Sequence, residues 1–406
     1  MCIGGDAARG IVILPVHNRR ASSTSTVAIQ MPHKPRILLY CVLSRFGGVE
    51  THIKNFAKVL SENGAEVTVA AKWALSPDGS RDFYRRHFQQ VGVQLITPRL
   101  NVLIQECPFI PGALKSVAIN LVAEIYFRLE LRAASYDVVS INASGTFGLR
   151  LRRYSKRKGR VIYHEHQTFV GANNSSEKRL HGLRKMDLVC VNSSRDAASA
   201  STLLGSERRI AILPAISAPM DKRQPSARPS GSPFRVAFVG NVAAREKGAH
   251  KLLNIWRSRA VQGMQLTLYG PNPDQTGAVK EMENVRFAGP FQASELGQVF
   301  GSIDLLVHPA DDESLGLVLI EAMAHGVPFV ATHVGGIIDI ASDNPHVLTV
   351  ENDEAVIYKA ILHMRQQIED GLHDPVALQK LYRLRWSNQA LAARWLHEYQ
   401  VESATA

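Results

Sequence analysis

The sequence predicts an α/β protein made of two Rossmann-like domains that face each other, each with a parallel, doubly wound sheet. Three observations favour this fold class. The chain has 406 residues, a length typical of two domains. Short apolar runs of buried-strand length alternate with helical patterns through both halves. Residues 217–233 are rich in Pro, Ser and Gly, which indicates a linker between the halves.

The linker and the apolar pattern give the domain boundaries. Residues 1–34 have no hydrophobic period over most of their length, so we predict a poorly ordered leader. An N-terminal domain is predicted at 35–216, where the alternation of strands and helices begins. A C-terminal domain is predicted at 234–385, where the same alternation starts again.

The predicted elements of the first half follow from apolar runs bounded by turn residues. The predicted strands are 36–40, 66–71, 91–97, 136–141, 161–166, 188–192 and 210–213. The predicted helices are 51–63, 112–133, 145–157 and one that begins after Ser193-Ser194, a helix-start signal.

The second half repeats this order. Its predicted strands are 234–239, 265–269, 285–288, 304–308 and 328–332, and its predicted helices are 249–257, 294–301, 315–326, 353–370 and 375–400. Ligands of such sheets bind at the carboxyl ends of the strands. We therefore expect one ligand site between the halves, lined by the loops at 45–50, 164–168, 240–248, 270–273, 309–316 and 333–337.

Composition limits the class of protein. The chain is 45% hydrophobic and 20% charged, as expected for a globular protein. No apolar stretch reaches the roughly 18–20 residues that span a bilayer. The four cysteines show no CxxC spacing, which indicates free thiols in a reducing compartment and no metal site. We expect a cytoplasmic protein.

Charge is distributed unevenly. Residues 1–220 carry 30 Lys and Arg against 15 Asp and Glu, whereas residues 221–406 carry 17 against 21. The basic charge is densest at residues 150–160, which read RLRRYSKRKGR. This run is either a solvated face or a contact for an anionic acceptor or the anionic inner face of the cell membrane. Nucleic acid is not expected, because only Tyr154 interleaves with the basic residues.

An acidic loop and the helix after it form the most specific segment, residues 309–326. Glu321 lies inside a helix that is otherwise apolar on nearly every side, so its carboxylate should have a partner. The helix N-terminus offers free N–H groups that suit phosphate. We interpret the segment as part of a site for a phosphorylated ligand, with Glu313 and Glu321 near its two ends. The alternative is a loop acid that caps the helix and an internal Glu paired with an arginine.

The run PADDESLGLVLIEAMAHGVPFVATHVGGIIDI resembles the signature of the retaining glycosyltransferases of family 4, which have the GT-B fold. Glu313 and Glu321 fit the E-x7-E spacing of that family, and further matches are Pro309, Gly316, Ala322, Met323, Ala324, Gly326, Pro328, Gly335 and Gly336. GGVETHIKNFAKVLSENGAEVTV resembles the family's first loop, helix and strand, and VGNVAAREKG resembles its phosphate-binding loop. RLRWSNQALAARWLHEY resembles its closing helix, which in this fold crosses back to the first domain and would include 386–402 here.

The resemblance implies a role for each matching residue. It implies that His166, Glu313 and Lys247 act at the donor sugar and the diphosphate, with His164 as the competitor of His166. It implies that Glu321 accepts hydrogen bonds from ribose hydroxyls. The remaining residues of the implied donor site are Gly47, Gly48, Asn241, Arg245, Gly270, Ser314, Leu315, Gly316 and Leu317.

The implied reaction is transfer of a hexose from a nucleoside diphosphate sugar to a hydroxyl of a glycan or lipid-linked acceptor, with retention of configuration, in surface polysaccharide or glycolipid synthesis. No metal or other cofactor is expected, since Asp311-Asp312 is not a DxD motif. Alternatives are another GT-B sugar-nucleotide enzyme, such as an epimerase, and a catalytically silent binding partner. The chain departs from the family pattern at Asn241, where the family has Arg, and at Ser314-Leu315, which leaves the donor sugar open.

Overall fold

The computed structural model describes residues 34–44, 47–76, 82–143, 146–169, 176–217, 228–271 and 282–399. The predicted leader, apart from residue 34, lies outside these residues, as do 218–227 of the predicted linker and 400–402 of the predicted closing helix. The chain divides into two compact units. The first lies within residues 1–192, 196–215 and 392–406, and the second within 193–195 and 216–391.

The first unit is a parallel sheet with helices on its faces. Its strands are β1 (Arg36–Leu43), β2 (Glu66–Ala74), β3 (Gln94–Ile96), β4 (Tyr136–Ile141), β5 (Ser155–His164), β6 (Leu188–Val191) and β7 (Ile210–Ile212). Its helices are α1 (Gly48–Glu62), α2 (Phe83–Gln90), α3 (Arg99–Glu106), α4 (Gly112–Glu130), α5 (Glu177–Leu183) and α6 (Ser194–Leu204), whose first residues belong to the second unit.

The strand order of this sheet is β3-β2-β1-β4-β5-β6-β7, and every neighbouring pair is parallel. Connections leave β1 in both directions, which is the doubly wound arrangement predicted from the sequence. β1 is the apolar centre of the sheet, with Ile37, Leu38 and Leu39 at most 1% exposed. A parallel strand covered on both faces requires such a continuous apolar run.

The second unit repeats this architecture with six strands. They are β8 (Phe234–Val239), β9 (Met264–Tyr269), β10 (Val285–Gly289), β11 (Leu305–His308), β12 (Phe329–Thr332) and β13 (Leu348–Val350). Their order is β10-β9-β8-β11-β12-β13, again parallel throughout. The helices are α7 (Ala249–Ser258), α8 (Leu296–Gly301), α9 (Leu317–Ala324), α10 (Ile337–Ala341), α11 (Glu354–Glu369), α12 (Pro375–Arg385) and α13 (Asn388–Tyr399), whose last eight residues belong to the first unit.

The end of α13 is part of the core of the first unit. The Trp395 ring is fully buried, with its centroid 4.7 Å from that of Phe56, and its Nε1 donates to the Pro214 carbonyl at 3.0 Å. The Tyr399 hydroxyl lies 2.5 Å from Ser140 Oγ on β4. This helix is therefore fixed by an aromatic contact and by buried polar pairs.

The predicted helix 145–157 is wrong. The structure has a 3-10 helix at Gly148–Tyr154, and β5 starts at Ser155. Ser155 pairs with Tyr136 of β4, and the Lys156 ammonium lies 2.7 Å from the Asp137 carboxylate. These contacts between strands outweigh the helical pattern. The prediction also missed α2, α3, α5, α10 and β13, which are short, and it joined α12 and α13 across the break at Trp386-Ser387.

Candidate functional site

The Glu313 carboxylate connects the acidic loop of the second unit to the segment VGNVAAREKG, which resembles the family's phosphate-binding loop. β11 ends at His308, and the loop after it places Glu313 beside that histidine. Glu313 Oε2 accepts from Lys247 Nζ at 2.8 Å and lies 3.0 Å from His308 Nε2. Lys247 comes from the 3-10 turn Arg245–Lys247 that precedes α7. Two residues that the sequence assigned to the reaction, Glu313 and Lys247, are thus in direct contact.

The Glu313 carboxylate is held ionised. Burial by itself would raise its pKa, but the hydrogen bond and charge of His308 and the charge of Lys247 lower the pKa to about 2. The side chain of Glu313 is only 13% exposed, so these two partners act in a poorly solvated environment. Lys247 has three donor hydrogens, so two remain for an anionic ligand after the pair with Glu313.

Glu321 has the opposite environment. It lies in the middle of α9, and among the described residues no cation or hydrogen-bond donor pairs with its carboxylate. Burial raises the pKa of Glu321 to about 7. Among the described residues no arginine pairs with Glu321, so the alternative of an internal Glu paired with an arginine is not met there. The expected partner is likewise not found among them, and a bound ligand could supply the donors.

The start of α9 presents backbone rather than side chains. Gly316 is the N-cap residue, with φ 90°, and no side chain caps the helix, so Glu313 is not a cap. Ser314 and Leu315 are buried at 8% and 3% exposure, and Leu317 is half-buried in the first turn. The first N–H groups of a helix lack intrahelical partners, so this end of α9 can donate to a phosphate or a sugar hydroxyl.

A glycine pair packs against the acidic loop. The Gly336 N–H donates to the Glu313 carbonyl at 2.9 Å. A Cβ at Gly336 would overlap the Ser314 carbonyl oxygen and lie 2.8 Å from Leu315 Cα. Glycine at this position therefore allows the loop after β12 to fix the backbone of residues 313–315.

The loop after β8 approaches the end of β9 in the same way. Gly270 has φ 144°, and a Cβ there would overlap the Gly240 carbonyl oxygen. Asn241 is exposed, and its Oδ1 accepts from the Ala243 N–H at 3.1 Å, a contact that shapes the loop. Arg245 is exposed on the same loop as Lys247. The structure thus collects Asn241, Arg245, Lys247, Gly270 and the segment 313–317 within the second unit.

The two histidines at the end of β5 differ in access. His164 is 1% exposed, and its ring centroid lies 4.8 Å from that of Trp395. His166 is partly exposed, and its Nε2 lies 3.3 Å from Asn142 Oδ1. Burial lowers the pKa of His166 to about 3, so the ring is neutral. Of the two, only His166 can meet a ligand without rearrangement.

Gly47 and Gly48 lie at the start of α1 in the first unit, and both are exposed. The residue that organises this turn is Glu50, which is 7% exposed and accepts from the Ser44 N–H at 2.8 Å. A Cβ at Gly47 would overlap the Glu50 carboxylate. α1 also places His52 beside His166, with ring centroids 5.0 Å apart.

His52, His164 and His166 form the one group of metal-ligand type found among the described residues, with ligand atoms within 4.8 Å of one another. Their rings pack on each other and on Trp395, and His164 Nε2 lies 3.3 Å from Asn192 Oδ1. An aromatic cluster with amide partners accounts for these contacts.

A pocket of about 500 Å³ opens in the first unit. Its walls carry cations, aromatic rings, amides and two carboxylates that have partners of their own, Ser44 for Glu50 and Arg179 for Glu165. The other wall residues include Lys72, Trp73, Asn120, Asn142, Phe147 and Arg150. The Lys72 ammonium lies 5.3 Å from the ring centroids of both Trp73 and Phe147. Burial lowers the pKa of Lys72, and no carboxylate pairs with it among the residues that the structure describes.

Sequence reasoning missed several residues of these sites. His308 stands at the end of a predicted strand next to the acidic loop, a position that could have identified it. Lys72 directly follows the predicted strand 66–71 and lies within the observed β2, but its aromatic neighbour Phe147 is distant in sequence. No sequence signal predicted that Glu165 would be buried with Arg179 in an ion pair beside this pocket.

Comparison with known proteins supports the resemblance. A model described as Glycosyltransferase Family 4 matches residues 46–215, and one described as Glycosyl transferases group 1 matches residues 233–367. Together they span well over half of the chain.

Relatives of known name agree with these matches. A GDP-mannose-dependent alpha-mannosyltransferase of Corynebacterium glutamicum is 32% identical over 30% of this chain and 29% of that protein. Matches to two further relatives cover 41% and 11% of those proteins, so the chain spans less than half of these relatives. A D-inositol 3-phosphate glycosyltransferase of Pseudarthrobacter chlorophenolicus is 28% identical over 72% of this chain and 75% of that protein.

Among solved structures, a sucrose-phosphate synthase from Thermosynechococcus elongatus has a TM-score of 0.73 and covers 90% of this chain and 98% of its own, at 20% identity. That likeness, at 20% identity, concerns the fold alone. With family matches over both units and this likeness of fold, the chain belongs to the family 4 glycosyltransferases and has the GT-B fold.

Proposed function

We propose that this protein transfers a sugar from a nucleoside diphosphate sugar to a hydroxyl of a glycan or lipid-linked acceptor, with retention of anomeric configuration. The observation that carries the proposal is the pair of carboxylates on one loop and helix. Glu313 is ionised and held by Lys247 and His308, whereas Glu321 has no partner among the described residues. The mannosyltransferase relative is GDP-mannose-dependent by name, which supports a donor of this class.

The donor is proposed to bind along the second unit. Glu321 accepts hydrogen bonds from the two ribose hydroxyls, which satisfies a carboxylate whose pKa burial has raised. Lys247 and Arg245 neutralise the diphosphate, and the N–H groups of residues 315–317 donate to phosphate or sugar oxygens. Glu313 accepts from sugar hydroxyls while it holds Lys247 in place.

The chemistry proposed for these residues is electrostatic. As the bond between the anomeric carbon and the phosphate oxygen breaks, negative charge develops on the departing diphosphate. Lys247 and the start of α9 stabilise that charge, which lowers the barrier. The acceptor oxygen bonds to the same face of the anomeric carbon, and its proton passes to a departing phosphate oxygen. Charge stabilisation by these residues requires no divalent metal, so we propose a metal-independent reaction.

The acceptor is proposed to bind in the pocket of the first unit. Trp73 and Phe147 offer apolar ring faces of the kind that stack on sugars, and Asn120 and Asn142 offer amides. Lys72 is a half-buried ammonium without a carboxylate partner among the described residues. An anionic group on the acceptor would pair with it, so we propose an acceptor that carries a phosphate or a carboxylate.

The donor proposal is tested with UDP-, GDP- and ADP-sugars and a membrane extract as the source of acceptor, with nucleotide release and glycan product as readouts. Lys247→Met should lower kcat strongly, and Glu321→Ala should weaken nucleotide binding. Lys359→Met, on the helix α11 of the same unit, is the control. If no donor is consumed while Glu321→Ala binds nucleotide as well as the wild type, the protein is a silent binding partner.

Three further measurements test retention of configuration, the epimerase alternative and metal independence. NMR of the product anomeric proton tests retention, since inversion would refute it. Product formed without any acceptor would instead indicate an epimerase. Activity that persists in excess EDTA supports the metal-independent reaction, and loss restored by a divalent ion contradicts it.

The acceptor pocket is tested with the variant Lys72→Met. The KM for the acceptor should rise at least tenfold while donor binding stays unchanged, because the two sites belong to different units. Lys58→Met on α1, whose side chain is 43% exposed, is the matched control. An unchanged acceptor KM in Lys72→Met would place the acceptor elsewhere.

A further inference from the structure

An unusual number of apolar side chains lies exposed between residues 100 and 129 of the first unit. Eight large ones are more than half exposed there, and in the rest of the described chain the other exposed large apolar residues belong to the second unit. The eight are Leu100, Leu103, Phe109, Leu114, Val117, Leu121, Ile125 and Leu129. We call this set the apolar ridge.

The helix α4 supplies most of the ridge and is apolar on two opposite faces. Its inner face, with Ile119, Ala123 and Phe127, is buried in the core of the unit. Its outer face repeats Leu114, Val117, Leu121, Ile125 and Leu129 at steps of three and four residues, so these side chains form one stripe. A helix on the surface of a water-soluble protein normally carries polar residues on that face.

Phe109 and α3 extend the stripe sideways. Phe109, just before α4, is 90% exposed, and Leu103 on α3 is 64% exposed. α3 packs against α4, because Asn101 of α3 donates through its side chain to the Ile119 carbonyl at 3.1 Å. The exposed side chains therefore belong to two packed helices and the turn between them, which together form a surface rather than scattered single residues.

Positive charge borders the ridge. Glu124 on α4 is shared by three guanidinium groups, those of Arg128, Arg150 and Arg153, at 2.8, 3.5 and 3.1 Å. These arginine side chains are 63%, 60% and 40% exposed, whereas that of Glu124 is 16% exposed. One acid among three bases leaves a net positive charge beside the apolar stripe.

We propose that the apolar ridge docks on an anionic lipid bilayer, with α4 lying in the plane of the interface. Apolar side chains on one face and exposed arginines at its border are the features by which helices bind at the level of the lipid head groups. None of the helices that the structure describes could span a bilayer. This inference concerns where the protein works and does not depend on the proposed reaction.

Sedimentation of the full-length protein with vesicles tests the docking. Vesicles of phosphatidylcholine with about a third phosphatidylglycerol should bind the wild type, and added salt should weaken the binding. Leu121→Gln combined with Ile125→Gln should weaken it about tenfold or more, since two apolar side chains no longer leave water. The control combines Leu372→Gln with Leu384→Gln, which are 64% and 65% exposed in the second unit. Equal loss in both variants would overturn the proposal.

A probe at Phe109 tests insertion directly. In Phe109→Trp, the added tryptophan fluorescence should shift to shorter wavelength with anionic vesicles and be quenched by lipids brominated on the acyl chains. Leu384→Trp should show neither change. Absence of quenching at residue 109, or equal quenching at both sites, would contradict docking through the ridge.

The other occupant of such a face is a second copy of the chain. Sedimentation equilibrium of the wild type without lipid should give a monomer. A dimer that dissociates in the Leu121 and Ile125 variant, together with no vesicle binding by the wild type, would assign the ridge to self-association and overturn the proposal.

Discussion

Two carboxylates on one loop and helix should respond to pH in opposite directions. Glu313 is stabilised as a carboxylate by Lys247 and His308, whereas Glu321 is destabilised by burial. Replacement of each by glutamine keeps the shape and removes the ionisation. We therefore predict that Glu321→Gln stabilises the folded protein at pH 8 and that Glu313→Gln destabilises it.

The magnitudes follow from the pKa values. The pKa of Glu321 lies at about 7 in the folded protein against an ordinary value of 4.5, a difference that corresponds to about 3 kcal/mol of unfolding free energy. At a pH between the unfolded pKa of 4.5 and the folded pKa of about 7, the folded chain binds more protons than the unfolded chain. Wild-type stability therefore falls as the pH rises through this window. Glu321→Gln removes that loss and should gain up to about 3 kcal/mol at pH 8 and almost nothing near pH 4.5.

The sign is reversed for Glu313. Its folded pKa of about 2 lies below the ordinary 4.5, so its contribution is complete above pH 4.5 and is lost as pH falls towards 2. Glu313→Gln should therefore cost about 3 kcal/mol at pH 8, again from the difference between the two pKa values. The two variants carry the same Glu→Gln change, one on the loop at residue 313 and one on α9 at residue 321. Each therefore serves as the control of the other.

Urea unfolding at pH 3, pH 5 and pH 8, followed by fluorescence and circular dichroism, measures both effects, since Glu321 responds between pH 5 and pH 8 and Glu313 between pH 5 and pH 3. A stability gain in Glu321→Gln that is equal at pH 5 and pH 8 would refute the reasoning, because a protonation effect must depend on pH. A loss of stability at pH 8 would refute it as well, since it would mean that the carboxylate has a stabilising partner. Added nucleotide should stabilise the wild type more than Glu321→Gln.

Three further outcomes test other parts of the structure. His166, with a pKa of about 3, should stay neutral between pH 8 and pH 5, so its ring signals in histidine-labelled NMR spectra should not move, and a titration near pH 6 would contradict its burial. Trp395→Ala should destabilise the first unit by about 3–5 kcal/mol in urea, because a fully buried ring leaves a cavity. Gly336→Ala should weaken nucleotide binding in calorimetry, because its Cβ would displace the Ser314 carbonyl, and unchanged affinity would separate this loop from the ligand.

Most of the sheet strands were predictable because their pattern is strong, although the short β13 was missed. β8 was predicted with its observed bounds, and the parallel order of both sheets follows from the alternation of strands and helices. A buried parallel strand must be apolar at nearly every position, and few other structures require such a run. The helix α9 was predictable for the same reason, between Gly316 and Gly326.

The basic run after residue 145 shows where sequence reasoning fails. Its helical pattern is real, but the ion pair of Lys156 with Asp137 and the pairing of Ser155 with Tyr136 connect residues about 19 positions apart. No pattern within the segment itself predicts contacts with a strand so far away in sequence. The apolar ridge was missed for a related reason, since the alternation of apolar residues on α4 looks the same whether a face is buried or exposed.

The carboxylates were predictable as a pair, but their difference was not. Sequence spacing places Glu313 and Glu321 near one helix, and the cost of a buried charge predicts a partner for Glu321. Only the structure shows that the two carboxylates have different environments. Lys247 reaches Glu313 from the loop after β8, and β11 ends at His308 beside it. Among the described residues nothing reaches Glu321 in the same way.

A single segment thus holds one satisfied and one unsatisfied carboxylate, and the contrast has a physical reason. A site for a charged ligand must be rigid before binding, and the contacts of Glu313 with Lys247, His308 and the Gly336 N–H provide that rigidity. The site must also have polar groups whose stabilising hydrogen bonds form only when the ligand binds. A carboxylate that is costly to ionise in the free protein gains most from new hydrogen-bond donors, which is the condition of Glu321. Under the proposed function, the stability given up at Glu321 increases the preference of the folded protein for its nucleotide-bound state.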